Sequence, residues 1–250
     1  MIKNLIVIPY RDRENHLNHF IKYILPLLNE QLSSVRIAII EQQDKKLFNR
    51  GALINIGYKI YKHKAESIIT HDIDLYPTNE CIKKYYFGDF DGVHGICCSP
   101  CNTLGGIVKM KMDDFELVNG FPNNFWGWGV EDKAFQNRIE SKNLEIKKSI
   151  LRNRGDFTKY FHSDESNHSR KKDTWRYNKR HRLHYEKWKE LSQISKKNLI
   201  YSSGLNNLRY TISAQLTDDN YDHFLVNIDK TQESFKSVLL RKLSEKNPFK

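Results

Sequence analysis

The sequence predicts an α/β protein built on a mainly parallel central sheet flanked by helices, and three observations carry that prediction. Short β-branched runs alternate with amphipathic stretches of helical period over the first seventy residues. The opening run, NLIVIP, is continuously apolar after Asn4, as in strands covered on both faces. The chain has 250 residues with 39% hydrophobic and 12% aromatic content, enough for one sizeable core.

Residues 4–9 read as the buried first strand, ended by Pro9, with a loop carrying Arg11 and Arg13 after it. Leu17, Phe20, Ile21, Ile24, Leu25 and Leu28 repeat at helical spacing, and residues 34–40 (SVRIAII) then read as a second strand, completing a βαβ unit. Leu53, Ile56 and Ile60 mark a second helix, and residues 67–70 (SIIT) a third strand that runs into His71-Asp72-Ile73-Asp74. Open α/β sheets bind ligands beyond the carboxyl ends of their strands, which is where this acidic run falls. Residues 105–110 read as another strand, Asp113 as the cap of a short helix ending near Val118, and residues 131–141 as a further helix. One catalytic domain is expected over 1–230, with a tail over 231–250.

The net charge is +11 with 28% charged residues, so the surface favours anions, whether nucleotide phosphates, acidic glycans, anionic lipids or nucleic acid. From Arg170 to Lys197 there are eleven Lys/Arg against three Asp/Glu, with Trp175, Tyr177, Tyr185 and Trp188 among them. We read 170–200 as a basic, aromatic, helical insertion in the C-terminal part, suited to peripheral contact with an anionic membrane through 170–197. Such a stretch also suits single-stranded nucleic acid, but without a recognised binding module no nucleic-acid partner is expected. The apolar run before Pro9 is far shorter than a signal peptide or a membrane span, which predicts a cytoplasmic protein, peripheral at most at the inner face of the membrane. Cys81, Cys97, Cys98 and Cys101 are expected to be reduced thiols in or near a buried strand.

Three stretches carry candidate chemistry. Asp72 and Asp74 are hard oxygen donors one residue apart, one suited to a divalent metal and the other to a ribose. In FWGWGVED, Trp126 and Trp128 offer flat faces for sugar rings, and Asp132, read by itself, is either a helix cap or a general base for an acceptor hydroxyl. His162, Glu165 and His168 lie in a polar run able to supply further metal ligands.

Together these motifs resemble the β-1,4-galactosyltransferase family, including its bacterial capsule and lipooligosaccharide relatives. The resemblance rests on PYRDRENHL (9–17), FNRGALINIG (48–57), Asp72-Ile73-Asp74, Gly105-Gly106, GFPNNFWGWGVED (120–132) and GLNNLRY (204–210). It implies a GT-A fold, Mn2+, a UDP-sugar donor, a glycan acceptor and an inverting single displacement that transfers galactose. In that reading Pro9, Tyr10, Arg11, Arg13, Asp72, Gly106 and Trp128 bind the donor. Trp126, Trp128, Glu131 and Asp132 face the acceptor, with Asp132 as the base. Asp74 and His168 hold the metal, with His162 or Glu165 as a further ligand. Glu165 stands where some animal members have a metal-binding methionine, and Thr103 where they have an acceptor-binding tyrosine. A UDP-N-acetylgalactosamine donor is the alternative within the class.

Overall fold

The computed structural model describes residues 1–29, 34–98, 103–127, 129–148, 157–159 and 187–229. An eight-stranded sheet runs through it in the order β7-β5-β6-β3-β1-β2-β10-β9. At its centre are β1 (Ile2–Tyr10), β2 (Val35–Gln42) and β3 (Ala65–His71), and β1 pairs in parallel with both neighbours. The two short strands β4 (Leu75–Pro77) and β8 (Phe157–Lys159) pair antiparallel beside it.

Alternate residues of each central strand enter two separate cores, which is why these strands read as continuous apolar runs. Leu5, Val7, Ala38, Ile40 and Ile68 join the core under α3 (Arg50–Tyr61). Ile6, Ile8, Ile37, Ile39 and Ile69 join the other, under α1 (Glu14–Tyr23) and α2 (Leu25–Asn29). Helix α3 lies so close on β1 that a Cβ at Gly57 would sit 2.5 Å from Val7 Cγ1. Asn49 caps α3 by accepting from the Ala52 N–H at 3.0 Å.

After β4 the chain makes a single helical turn, α4 (Asn79–Cys81), that widens into a π-helical turn over Ile82–Tyr86. The sheet then grows by β5 (Val93–Cys97), β6 (Ile107–Lys111) and β7 (Ile146–Lys148), of which β6 runs antiparallel to both β3 and β5. Helix α5 (Met112–Leu117) differs from the sequence expectation at its start. Lys111 occupies the cap position, and Asp113 lies in the first turn, where its charge meets the positive end of the helix instead of closing it. Helix α6 (Glu131–Glu140) falls where the sequence predicts it. Cys81, Cys97 and Cys98 are buried and outside any disulfide, and Cys101 lies outside the described residues.

The basic part is helical over α7 (Gln193–Tyr201), but among the described residues after it the chain makes one 3₁₀ turn (Leu205–Asn207) and then two strands instead of further α-helix. Strands β9 (Tyr210–Thr217) and β10 (Tyr221–Ile228) form a hairpin, and β10 joins β2 in parallel. The cause is local. Asp218 and Asn220 build a polar turn, with the Asn220 N–H on Asp218 Oδ1 at 3.0 Å, and Phe224, Val226 and Ile228 alternate into the core.

Candidate active site

The chain leaves β1 toward β2 on one side and leaves β3 toward β6 on the other, so the strand order switches direction between β1 and β3, and open α/β sheets bind ligands in the crevice beyond the carboxyl ends of strands at such a point. The loop after β1 brings Arg11 and Arg13 there, and the turn after β3 brings Asp72 and Asp74. Arg13 Nη1 lies 3.6 Å from Asp74 Oδ2, so the two motifs meet. Arg11 donates to the Lys46 carbonyl at 2.6 Å and its guanidinium lies 5.5 Å from the centre of the Phe48 ring. Pro9 and Tyr10 end β1 with Tyr10 buried, and burial, with Glu41 adding to it, pushes the Tyr10 phenol up to about 12.

The backbone shapes the acidic turn. His71 donates its Nδ1–H to the Asp72 carbonyl at 2.9 Å, and burial holds its pKa down to about 4, so the ring is neutral. The Leu75 N–H closes the turn on Asp72 O at 3.2 Å. Gly106, whose carbonyl accepts from the Asp72 N–H at 3.3 Å, has φ +90, and a Cβ there would lie 2.5 Å from the Cys97 carbonyl oxygen. No other residue fits that corner.

The second half of the site comes from the loop before α6. Gly127 donates its N–H to Phe48 O at 2.7 Å and has φ 80, while Gly129 has φ 105. Val130 follows with φ 80, a conformation costly for a β-branched residue, immediately before Glu131 and Asp132. A buried amide network holds this loop. Asn55 donates to Phe121 O at 2.7 Å and to Asn123 Oδ1 at 2.8 Å, and Asn123 donates to Gly204 O at 2.7 Å. Arg138, fully buried on α6, donates to the carbonyls of Gly120 at 2.8 Å and Ser203 at 2.6 Å. The family-like stretches at 48–57, 120–132 and 204–210 are therefore one hydrogen-bonded unit in space.

Arg50 joins the two halves. Its Nε donates to Asp72 Oδ1 at 2.7 Å, and the guanidinium also feels the charges of Glu131 and Asp132. Burial and the neighbouring Asp132 carboxylate push Glu131 well above the ordinary carboxylate range, with Arg50 opposing. Asp132 accepts from the Thr103 hydroxyl through Oδ2 and from the Lys133 N–H through Oδ1. Sequence reasoning named neither Arg50 nor Thr103 as a partner of these acids. Arg50 stood in plain view at the start of a predicted helix, inside the FNRG stretch, whereas the contact between Thr103 and Asp132 spans 29 residues and left no local signal.

Trp126 is 9% exposed and packs into the core under α3, which leaves little of its ring open to a sugar. Trp128, His162, Glu165 and His168 lie outside the described residues. Among the described residues no group of three or more His, Cys, Asp or Glu side chains could hold a metal.

Residues 1–87 match the N-terminal region of glycosyl transferase group 7, and residues 97–163 match the N-terminal domain of galactosyltransferase. The chain belongs to the β-1,4-galactosyltransferase family. It is 30% identical over 237 residues to β-1,4-galactosyltransferase 6 of Mus musculus, which covers 90% of this chain and 56% of that protein. It is 30% identical over 216 residues to β-1,4-galactosyltransferase 7 of Drosophila melanogaster, covering 84% of this chain and 63% of that one. The chain thus spans about half to three-fifths of the length of these relatives. A solved structure of a mutant Drosophila β-1,4-galactosyltransferase 7, in complex with manganese, UDP-Gal and xylobiose, superposes with a TM-score of 0.68 at 25% identity, covering 92% of this chain and 95% of that one. Family membership fits the GT-A expectation, and the matches include animal enzymes.

Proposed function

We propose that this chain is an inverting, metal-dependent glycosyltransferase that moves galactose from UDP-galactose to a sugar hydroxyl of a surface glycan, forming a β linkage. The observation that carries the reading is Arg50, whose guanidinium faces Asp72 from the donor half of the crevice and Glu131 and Asp132 from the acceptor half. An enzyme that binds a nucleotide sugar and activates a hydroxyl needs its two acidic elements held within one site.

Asp132 is the base. Inversion requires the deprotonated hydroxyl to attack the anomeric carbon from the face opposite the diphosphate. Thr103 and the Lys133 N–H fix the Asp132 carboxylate for that task. The donor set suits manganese, since Asp74 offers a hard carboxylate and His168, with His162 or Glu165, would add a nitrogen or oxygen donor. Asp72 accepts from Arg50, and the resemblance assigns the metal to Asp74. A divalent ion there would stabilise charge on the departing UDP as a Lewis acid. Arg11 and Arg13 are placed to meet the diphosphate, and the 3.6 Å approach of Arg13 to Asp74 keeps that carboxylate turned into the crevice.

The finer parts of the proposal are a capsule or lipooligosaccharide-type acceptor and work at the inner face of the membrane. The basic run over 170–197 supports the second, since the cytoplasmic leaflet carries anionic lipids that attract clustered Lys and Arg. Thr103 in place of a tyrosine supports an acceptor unlike that of the animal enzymes.

The test is UDP release from a panel of UDP-sugars, with and without manganese, comparing the unaltered chain with Asp74→Ala and Asp132→Asn. Manganese-dependent turnover of UDP-galactose, lost in both variants, is expected. Preference for UDP-N-acetylgalactosamine would change the donor and keep the class. Absence of both turnover and UDP binding would reduce the resemblance to one of fold.

A further inference from the structure

Helix α7 presents two unlike faces. Leu199 and Ile200 are buried, and with Trp188 from the preceding 3₁₀ turn they pack on Phe125 and Ala134. The helix is thereby fixed to the loop and the helix that carry Glu131 and Asp132. On the opposite side Ile194 is 73% exposed and Tyr201 46%. They are two helical turns apart, on one stripe, with the exposed Lys197 between them. Lys187 and Lys189 are exposed just before the helix, and Lys142 Nζ lies 5.9 Å from the centre of the Tyr201 ring. Over residues 187–201 Glu190 is the one acid against four lysines.

A single exposed apolar residue is ordinary, but Ile194 and Tyr201 share one stripe with lysines around them, which joins apolar and cationic groups on one surface. Lysines surrounding protruding apolar side chains match the surface of an anionic bilayer. The cations answer the phosphate headgroups, and the apolar groups reach the boundary between headgroup and acyl chain. Residues 170–186 add seven further Lys/Arg in sequence immediately before this element.

We propose that Ile194, Lys197 and Tyr201 of α7, with Lys187 and Lys189 beside them, form a docking surface for an anionic phospholipid bilayer, and that the Trp188 anchor holds the acceptor-side loop next to that bilayer. The orienting role rests on the transferase reading above. The docking does not, because it is measured without donor or turnover.

The experiment is vesicle co-flotation of the full chain with phosphatidylcholine alone and with added phosphatidylglycerol. Compared with it are Ile194→Asp, a triple Lys187→Glu, Lys189→Glu, Lys197→Glu variant, and a control with the same charge change elsewhere on the surface, Lys3→Glu, Lys45→Glu, Lys59→Glu. The unaltered chain should bind only the phosphatidylglycerol vesicles, and less as salt rises. Each interfacial lysine is worth about fivefold in affinity, so the triple variant should lose about a hundredfold or more, and the control less than about tenfold. Ile194→Asp should lose about tenfold with an unchanged melting temperature, since the side chain is exposed. The proposal is overturned if the α7 variants float as well as the unaltered chain, if the control loses as much as the triple variant, or if the unaltered chain ignores vesicles and is retained on a sulfated polysaccharide instead.

Discussion

Two arginine–aspartate pairs, one at each end of the central strands, share a 2.7 Å contact and little else. Near the amino end of β2, Arg36 donates through Nε and Nη2 to both oxygens of Asp222 at 2.7 Å and through Nη2 and Nη1 to the carbonyls of Asp218 and Asp219 at 3.1 Å. Burial works against the ionised form of Asp222, and hydrogen bonds from Arg36 and Tyr61 outweigh it, leaving its pKa lowered. At the carboxyl end, Arg50 gives one short bond to Asp72 and a long one of 3.4 Å to Gly106 O, and its buried Nη1 has no partner among the described residues. A guanidinium whose three nitrogens all donate closes a structure, here the hairpin onto the sheet. One that leaves a buried donor unused, among three carboxylates, carries a cost that a bound ligand can offset.

That difference is open to attack, beginning with the largest effect. Asp132→Asn should lower kcat by about 10²–10⁴-fold with donor affinity and melting temperature nearly unchanged, as read by UDP release and calorimetry. Arg36→Met should do the reverse, costing about 3 kcal/mol in denaturant unfolding by stranding Asp222, with full specific activity in the folded fraction. Arg50→Lys keeps the charge and loses the planar fork. A fall of about ten- to hundredfold in kcat/KM is expected, and an unchanged value would make Arg50 a second structural arginine.

Glu131 supplies a pH signature. Its folded pKa lies above the unfolded one, so below the ordinary carboxylate range both states hold the proton and nothing is lost. As pH rises out of that range the unfolded chain ionises first, and the fold loses stability toward neutrality. Melting temperatures followed against pH should show that fall, and Glu131→Gln should flatten it. Smallest is Val130→Gly, expected to stabilise by about 1 kcal/mol by relieving the left-handed backbone at φ 80. A loss of activity in that variant would show that the strained residue is also what aims Asp132.

Much of this was legible in the sequence for definite reasons. Strands β1 to β3 and helices α1, α3 and α6 were visible because one buried face or stripe imposes its period on neighbouring residues. The hairpin of β9 and β10 was not recognised, since all but one residue of β9 is exposed and leaves no apolar pattern, and only β10 alternates. Asp72, Asp74 and Asp132 were named because acids beside glycines and tryptophans are chemically conspicuous within a few residues.

By itself, then, the sequence determined which segments form the sheet and which side chains are fit for metal and proton chemistry, because both are properties of short stretches of chain. Only the tertiary structure decided that Arg50 stands among Asp72, Glu131 and Asp132, that Thr103 holds Asp132, and that Trp126 turns into the core. Contacts separated by tens of residues depend on how layers pack, and packing is set by the whole core at once, so no local pattern records it.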